Sequence, residues 1–263
     1  MKITILASGS MGNATHIEIG RDVVFIDIGL SLRQVRARLD QKGKTLDRVN
    51  AVFITHEHAD HVGGLVTLYN QFHMPIHLTR GTYENLARSI KEKIPFDAFR
   101  FVDFEQAFVF DGYLVQPFMT YHDALEPCGY RFYEAQHSLV YMTDTGYFPQ
   151  QKFDALRNAD LYILESNHDP DLLLDSDRPW LLKRRILDDK GHLSNEDSAF
   201  LMINLIGENT KRIVLAHLSE ECNTEEHAMT AYRRVFEKQG MSFSDYEIVC
   251  ARQHEPSEEF VLE

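Results

Sequence analysis

The sequence has few cysteines, a deficit of basic residues and no long hydrophobic run. Its 263 residues contain only 3 cysteines, an odd number placed far apart, so no disulfide framework is expected and a reducing compartment is favoured. No apolar run reaches the roughly 18 residues that a membrane-spanning helix needs. The first residues lead into a strand-like stretch rather than a signal peptide. We therefore expect a cytoplasmic protein with no membrane partner.

Basic residues are outnumbered by acidic ones. The chain has 27 Lys and Arg against 40 Asp and Glu, which gives a net charge of −13. A protein that coats nucleic acid without regard to sequence is normally basic. Here a polyanionic substrate would have to be held by local groups and by bound cations, which cancel negative charge where they bind. The charge argues against a general nucleic-acid coat and leaves a nucleic-acid substrate open.

No linker or repeat divides the chain. We find no short-period repeat, low-complexity tract or Pro/Gly-rich linker, and the hydrophobic content of 44% supports a full core. We therefore expect a single α/β domain (α+β in some schemes) over residues 1–263. Within it, the apolar spacing predicts a helix over residues 81–92, and residues 170–190 show the least regular pattern.

The most informative stretch is residues 55–61 (Thr-His-Glu-His-Ala-Asp-His), which directly follow an apolar run. Divalent cations prefer His nitrogen and carboxylate oxygen as ligands, so a metal site explains this composition better than a polar turn. His56 and His58 are two apart and project to the same side of an extended stretch. Asp60 and His61 fall where a helix is expected to begin. Five donors exceed what one four-coordinate ion accepts, which predicts two ions.

Further candidate ligands stand at the ends of other strands. His122, Asp144 and His217, like His56, each lie within a residue or two of the carboxyl end of an apolar strand. Sites in α/β architectures assemble at that edge, although His122 or His217 taken alone also fits a hydrogen-bonded core histidine. The predicted ligand sets are His56, His58 and His122 for one ion and Asp60, His61 and His217 for the other, with Asp144 shared by both.

Two ions held in this way imply metal-assisted hydrolysis. Such a pair lowers the pKa of a shared water and stabilises the attacking and leaving oxygens of a displacement. We therefore predict hydrolysis of a phosphodiester, with Asp60 also orienting the activated water. His192 precedes a helix capped by Ser194, where an anion is favoured, so it suits a general acid or a phosphate clamp. The alternative for His192, and likewise for His168, is an ordinary loop residue.

Three other segments each have two interpretations. The glycine-rich loop from Ser8 to Asn13 either binds an anion through its backbone or simply connects a hairpin. Asp27 either supports a metal-bound histidine or occupies a turn. The cluster Lys183-Arg184-Arg185 either holds a phosphate backbone or is ordinary surface charge.

These residues resemble a known family. Residues 56–61 look like the signature of the metallo-β-lactamase fold, and Asp144 and His217 fall where that superfamily places its bridging Asp and its last His. Other segments look like the YycJ/WalJ group. Those segments are Ser8-Gly9-Ser10, Gly12-Asn13-Ala14, Asp123-Ala124, Leu164–Asp169, Gly191–Asp197 and Leu215–Thr224. Together the matching segments run from about residue 3 to residue 224.

The resemblance implies an αββα four-layer sandwich and a two-metal nuclease active on DNA, a 5′ to 3′ exonuclease linked to mismatch repair. It also implies Mn²⁺, Zn²⁺ or Fe as the metal. The Gly191-His192 segment is similar to a segment of tRNase Z, whose His is assigned to leaving-group assistance. No Cys stands at the Asp144 position, which disfavours a β-lactamase of the cysteine-ligand type. The competing hypotheses are a hydrolase of small phosphodiesters or thioesters, a tRNase Z-like RNA nuclease and a non-catalytic metal-bound partner protein.

Overall fold

The computed structural model of the protein describes residues 1–104 and 106–263. In chain order the strands are β1 (Lys2–Ala7), β2 (Ala14–Ile19), β3 (Asp22–Ile26), β4 (Ala51–Phe53), β5 (Ile76–Leu78), β6 (Phe99–Phe101), β7 (Phe108–Phe110), β8 (Tyr113–Met119), β9 (Cys128–Glu134), β10 (His137–Met142), β11 (Leu161–Glu165), β12 (Arg212–Ala216), β13 (Glu247–Cys250) and β14 (Phe260–Val261).

The α-helices are α1 (Leu32–Asp40), α2 (Ala59–Val62), α3 (Leu65–Phe72), α4 (Arg80–Asn85), α5 (Arg88–Lys91), α6 (Pro170–Asp175), α7 (Trp180–Leu187), α8 (Asn195–Leu205) and α9 (Glu225–Lys238). Short 3₁₀ helices cover Phe96–Ala98, Gln150–Ala155 and Phe243–Asp245. Along the described ranges, no helix is both long and apolar enough to cross a membrane.

Two segments differ from their predicted form. The helix predicted over residues 81–92 is two short helices, because Leu86 and Ala87 adopt extended backbone with ψ of 139° and 136°. The irregular segment 170–190 contains α6 and α7. Pro170 is the first residue of α6, and Pro179 is the N-cap of α7. Proline suits a helix start because its φ is already helical and its missing N–H is not needed there.

The chain divides into two compact units. Unit 1 comprises residues 1–119, 124–137 and 252–263, and unit 2 comprises residues 120–123 and 138–251. Each unit combines sheet with helices, which confirms the predicted α/β class.

Unit 1 contains a mixed sheet in the order β14-β1-β2-β3-β4-β5-β6. Strands β1 to β3 pair antiparallel, and β3 to β6 pair parallel. Helix α1 packs Val35 and Leu39 into a core that also holds Leu65 and Leu68 of α3 and Phe25 of β3. Burying each such side chain contributes roughly 1.5–3 kcal/mol. The parallel register directs the ends of β3 and β4 to one edge of the sheet, where Asp27 and residues 55–61 follow.

Unit 2 contains the parallel strands β10 to β13, in the order β13-β12-β11-β10. All five residues of β11 are buried, as expected for a strand covered on both faces. The helices α8 and α9 supply further core residues, among them Met202, Tyr232 and Phe236. The carboxyl ends of β10, β11 and β12 lie side by side, so the residues at those ends are neighbours.

Candidate metal centre

In unit 1, the carboxylate of Asp27 fixes the ring of His61. Asp27 is fully buried, and its Oδ2 lies 2.7 Å from His61 Nδ1. Its two oxygens accept hydrogen bonds from the Thr55 amide (2.8 Å) and hydroxyl (2.9 Å). Burial raises the pKa of Asp27, and the contacts with His61 and Thr55 oppose that rise. This is the geometry of a carboxylate that supports a metal-binding histidine, the first of the two interpretations of Asp27.

The glycine-rich loop supports the start of α2. The Asn13 N–H donates to the Asp60 carbonyl (2.7 Å), and Asn13 Nδ2 lies 3.3 Å from Asp60 Oδ2 and 3.1 Å from His61 Nε2. Asn13 Oδ1 in turn accepts a hydrogen bond from the Gly9 N–H (2.8 Å). Ser8 is buried in the same loop. Asn13 therefore lies beside two predicted metal ligands and holds them in place.

The histidines of residues 55–61 lie close together. The ring centroid of His56 is 4.6 Å from that of His58 and 4.0 Å from that of His61. His58 is the extended N-cap of α2, so the predicted change from extended chain to helix at Asp60 is confirmed. The backbone at Gly29 passes so close to Asp60 that only glycine fits there, since a Cβ would lie 1.7 Å from the Asp60 carbonyl oxygen. Unit 1 thus brings its four predicted ligands together.

In unit 2, predicted metal ligands and other donors meet at the carboxyl end of the parallel strands. Asp144, Glu165, His192 and His217 each place a ligand atom within 4.8 Å of the others. His122 joins them, with its Nε2 3.8 Å from Asp144 Oδ1. The prediction that residues at the carboxyl ends of strands lie together therefore identified neighbouring residues in this unit.

Three site residues adopt left-handed backbone that is unusual outside glycine. The φ angles are 56° for Asp27, 55° for Asp144 and 55° for His217. Such conformations cost of order 1 kcal/mol or more and persist where the surrounding structure holds them, often at functional sites. Each follows the end of a strand, so the turn in the backbone directs the side chain to the sheet edge.

Glu165 is the member of this cluster that the sequence patterns did not single out. Its Oε1 lies 2.6 Å from His192 Nδ1 and 3.1 Å from His217 Nδ1, and its Oε2 accepts a hydrogen bond from the Thr145 N–H (2.8 Å). Complete burial raises the pKa of Glu165, but His192 and His217 hold it well below its usual range. The ionised carboxylate fixes both rings. Its position at the end of β11, between the strands that lead to Asp144 and His217, is the signal that identifies it.

His122 is oriented by its neighbours in unit 2. Its Nδ1 lies 3.0 Å from the Gly191 carbonyl oxygen, and its Nε2 lies 3.2 Å from Asp123 Oδ1. Burial lowers the pKa of His122, and the charge of Asp144 opposes that fall. The neutral form that burial favours is the form in which imidazole binds metal. Asp123 also pairs with Arg185, which ties one residue of the basic cluster to this histidine.

The other candidates of unit 2 have different surroundings. Lys183 is buried, and its Nζ donates to the Leu174 and Ser176 carbonyl oxygens, both at 2.6 Å, so it stabilises the end of α6. Arg184 is exposed and lines a cavity of about 380 Å³. His168 is buried, and this burial lowers its pKa to about 4. Of these three side chains, Arg184 is the one that solvent reaches freely.

The donor set fits divalent metal ions. Imidazole nitrogens and carboxylate oxygens are the donors that Zn²⁺, Mn²⁺ and Fe sites use. Buried Asp27 and Glu165 approach the Nδ1 atoms of histidines, which is how metal-binding imidazoles are commonly oriented. Asp144 and Glu165 lie close together at almost no exposure, and a cation is what balances two such buried carboxylates.

The chain belongs to the β-lactamase superfamily, because the family model described as the beta-lactamase superfamily domain matches residues 23–218. With its His and Asp clusters, it is a metal-dependent hydrolase of that superfamily.

Relatives and solved structures agree with this assignment. "Exodeoxyribonuclease WalJ" of Streptococcus pneumoniae serotype 2 is 36% identical over 228 residues, which cover 86% of this chain and 85% of the relative. "Exodeoxyribonuclease YycJ" of Bacillus anthracis is 34% identical over 245 residues, 93% and 92% of the two chains. The metallo-β-lactamase fold protein YhfI from Bacillus subtilis superposes with a TM-score of 0.71 at 16% identity, over 98% of this chain and 99% of that one. The resemblance to the YycJ/WalJ group and the predicted fold are confirmed.

Proposed function

We propose that the protein is a metal-dependent 5′ to 3′ DNA exonuclease. The observation that carries the proposal is the 34–36% identity, over most of this chain and most of the relatives, to proteins named exodeoxyribonucleases. The clustered His and Asp side chains are the donors that metal-assisted phosphodiester hydrolysis requires. The 5′ to 3′ polarity rests on the family resemblance of the sequence.

We propose that the metal ions are two in number and are Mn, Zn or Fe. The ligand sets stay as predicted, with Asn13, Asp27 and Glu165 as supporting residues. Those sets are His56, His58 and His122; Asp60, His61 and His217; and Asp144, shared by both. Two divalent ions bound there supply an activated water and charge stabilisation for the phosphodiester.

His192 is the proposed general acid for the leaving oxygen. Its Nδ1 lies 2.6 Å from Glu165 Oε1, and its side chain is 18% exposed, more than any neighbour in this cluster. The carboxylate orients the ring, so the second ring nitrogen can face a substrate and donate a proton to its leaving oxygen. Asp60, with its side chain 24% exposed, is proposed to orient the attacking water.

The proposal is tested by incubating 5′-labelled single- and double-stranded DNA with Mn²⁺, with bis-p-nitrophenyl phosphate as a small control ester. We expect the wild-type protein to release label from the 5′ end, and Asp144→Ala to lose both turnover and bound metal. DNA left intact while the small ester is cleaved would favour a hydrolase of small phosphodiesters or thioesters. Cleavage of RNA alone would favour a tRNase Z-like nuclease.

The proposal also includes the domain organisation, the cellular location and the partners. The family model matches residues 23–218, which include segments of both units, and this supports a single domain over residues 1–263. The cytoplasmic location rests on the cysteine pattern of the sequence. Mismatch-repair proteins as partners rest on the family resemblance alone.

A further inference from the structure

Two tyrosines and a lysine lie beside the predicted ligands of unit 2. Tyr121 directly precedes His122, and Tyr147 is three residues beyond Asp144. The ring centroids of the tyrosines are 4.8 Å apart with an interplanar angle of 57°, and Lys152 Nζ lies 5.4 Å from the Tyr121 centroid. Tyr147 is 41% exposed, and Tyr121 and Lys152 are half-buried. Aromatic surface and positive charge are thus available to a ligand here.

The segment that carries Tyr147 is held firmly. The Thr145 hydroxyl accepts a hydrogen bond from the Tyr121 N–H (3.0 Å) and donates to the Tyr147 carbonyl oxygen (2.7 Å). The Thr145 N–H donates to Glu165, and the Gly146 N–H donates to the Tyr121 carbonyl oxygen (2.8 Å). A Cβ on Gly146 would lie 2.3 Å from the Asp188 carbonyl oxygen, so this loop is closely packed. The backbone that carries the two rings is therefore held in place relative to Glu165.

This composition matches surfaces that bind single-stranded nucleic acid. There, bases stack on aromatic rings and cations contact the phosphates. Stacking matters more for this chain than for a basic protein, since a net charge of −13 repels a polyanion at long range. The core of unit 2 already contains buried aromatic residues such as Tyr162 and Tyr232, whereas Tyr147 leaves much of its ring in solvent.

We propose that Tyr121 and Tyr147 form a platform on which an unpaired nucleobase next to the scissile phosphate stacks, with Lys152 near the backbone phosphate. The inference rests on the proposed nuclease function and narrows its substrate to an unpaired DNA end. A base inside a duplex is covered by its neighbours and cannot stack on the tyrosines. Duplex DNA would therefore be used after its end has opened.

The test compares kcat/KM with Mn²⁺ for a short single-stranded oligodeoxynucleotide and for bis-p-nitrophenyl phosphate, which has no base. Tyr147→Ala should lower kcat/KM for the oligonucleotide on the order of tenfold, the loss of one stacked base. It should leave the small ester unaffected. Tyr147→Phe should keep wild-type values. Phe200→Ala, at another exposed aromatic residue of unit 2, is the matched control. It should leave kcat/KM unchanged for both substrates.

An oligonucleotide with abasic sites at its end isolates the stacking contact. Wild type and Tyr147→Ala should degrade this substrate at equal rates, because it has no base to stack. A variant that loses activity on the intact and abasic substrates alike, or loses none on either, overturns the platform. A wild-type protein that leaves DNA intact and cleaves the ester overturns the proposed function instead.

Lys152→Gln should reduce the dependence of kcat/KM on salt concentration, and an unchanged slope contradicts its placement at a phosphate.

Discussion

At the scale of single residues, two buried carboxylates decide which nitrogen each histidine presents. Asp27 approaches Nδ1 of His61, and Glu165 approaches Nδ1 of both His192 and His217. An imidazole held by Nδ1 has Nε2 left for a metal ion or a substrate. We therefore propose that the two carboxylates act through other side chains, as positioning residues.

Replacement of Glu165 by glutamine tests this role. The carboxamide keeps the size of the side chain but removes the charge that stabilises the histidines. We expect Glu165→Gln to reduce activity or metal affinity roughly 10–100-fold, the usual cost of losing such a supporting group. Elemental analysis measures the bound metal of this variant, and an assay on labelled DNA measures its kcat. Glu196→Gln, at an exposed carboxylate in the first turn of α8, is a suitable control. Full activity of Glu165→Gln with both ions bound would contradict the role.

His192 should separate catalysis from metal binding. Because His192 belongs to neither predicted ligand set, His192→Ala should retain both ions and slow turnover on the order of a hundredfold, as loss of a general acid does. Single-turnover rates and metal content, measured on the same preparation, distinguish the two effects. His227→Ala, at an exposed histidine of α9, is the control for loss of an imidazole elsewhere in unit 2. A fully active His192→Ala protein would remove His192 from the mechanism.

At the scale of elements, the sequence predicted what depends on local pattern. The strands before Asp144 and His217 and the Ser194 cap of α8 follow from residues adjacent in the chain, and they are confirmed. Beyond the residues at strand ends, contacts between distant segments were not predictable. The link from Asn13 to His61 spans 48 positions, and Glu165 shows its role only when β11 is placed between β10 and β12.

The breaks between helices were also not predictable from the spacing of apolar residues. The spacing of Leu86 and Ile90 fits one continuous helix. Both side chains are in the core, but Leu86 lies in the extended break after α4 and Ile90 lies in α5. In residues 170–190, two helices of six and eight residues are too short for their periodicity to stand out. The sequence Lys183-Arg184-Arg185 does not indicate that Lys183, unlike a surface lysine, donates to the Leu174 carbonyl oxygen.

The N-cap of α1 offers a prediction about stability alone. The Ser31 hydroxyl accepts a hydrogen bond from the Gln34 N–H (3.4 Å), and the Ser31 N–H donates to Gln34 Oε1 (3.1 Å). Ser31→Ala should lower the free energy of unfolding by about 1 kcal/mol. The urea midpoint measures this change, and Ser31→Thr, which keeps a hydroxyl, should remain near wild type. Both variants should keep wild-type activity on DNA, and an unchanged midpoint in Ser31→Ala would show that the cap contributes nothing.

At the scale of the whole molecule, stability should depend on pH through buried imidazoles outside the metal centre. Burial lowers the pKa of His16 and of His77 from 6.5 to about 4. In the unfolded chain both titrate near 6.5, so between these values the unfolded state binds more protons than the folded one. The free energy of unfolding therefore rises with pH across this window and is lost as pH falls through it. The loss is at most about 3 kcal/mol for each histidine.

His77→Phe isolates one of these contributions. The His77 ring stacks on Phe53 at 4.8 Å and meets the edges of Phe108 and Phe110 at 5.8 and 5.6 Å, and neither ring nitrogen has a hydrogen-bond partner among the described residues. A phenyl ring suits these neighbours and cannot be protonated. Arg100, whose charge also lowers the pKa of His77, is present in both proteins. Urea unfolding at about pH 7 and about pH 4.5 should show wild type losing more stability than the variant, by up to about 3 kcal/mol. Equal losses would mean that His77 keeps its ordinary pKa in the folded protein.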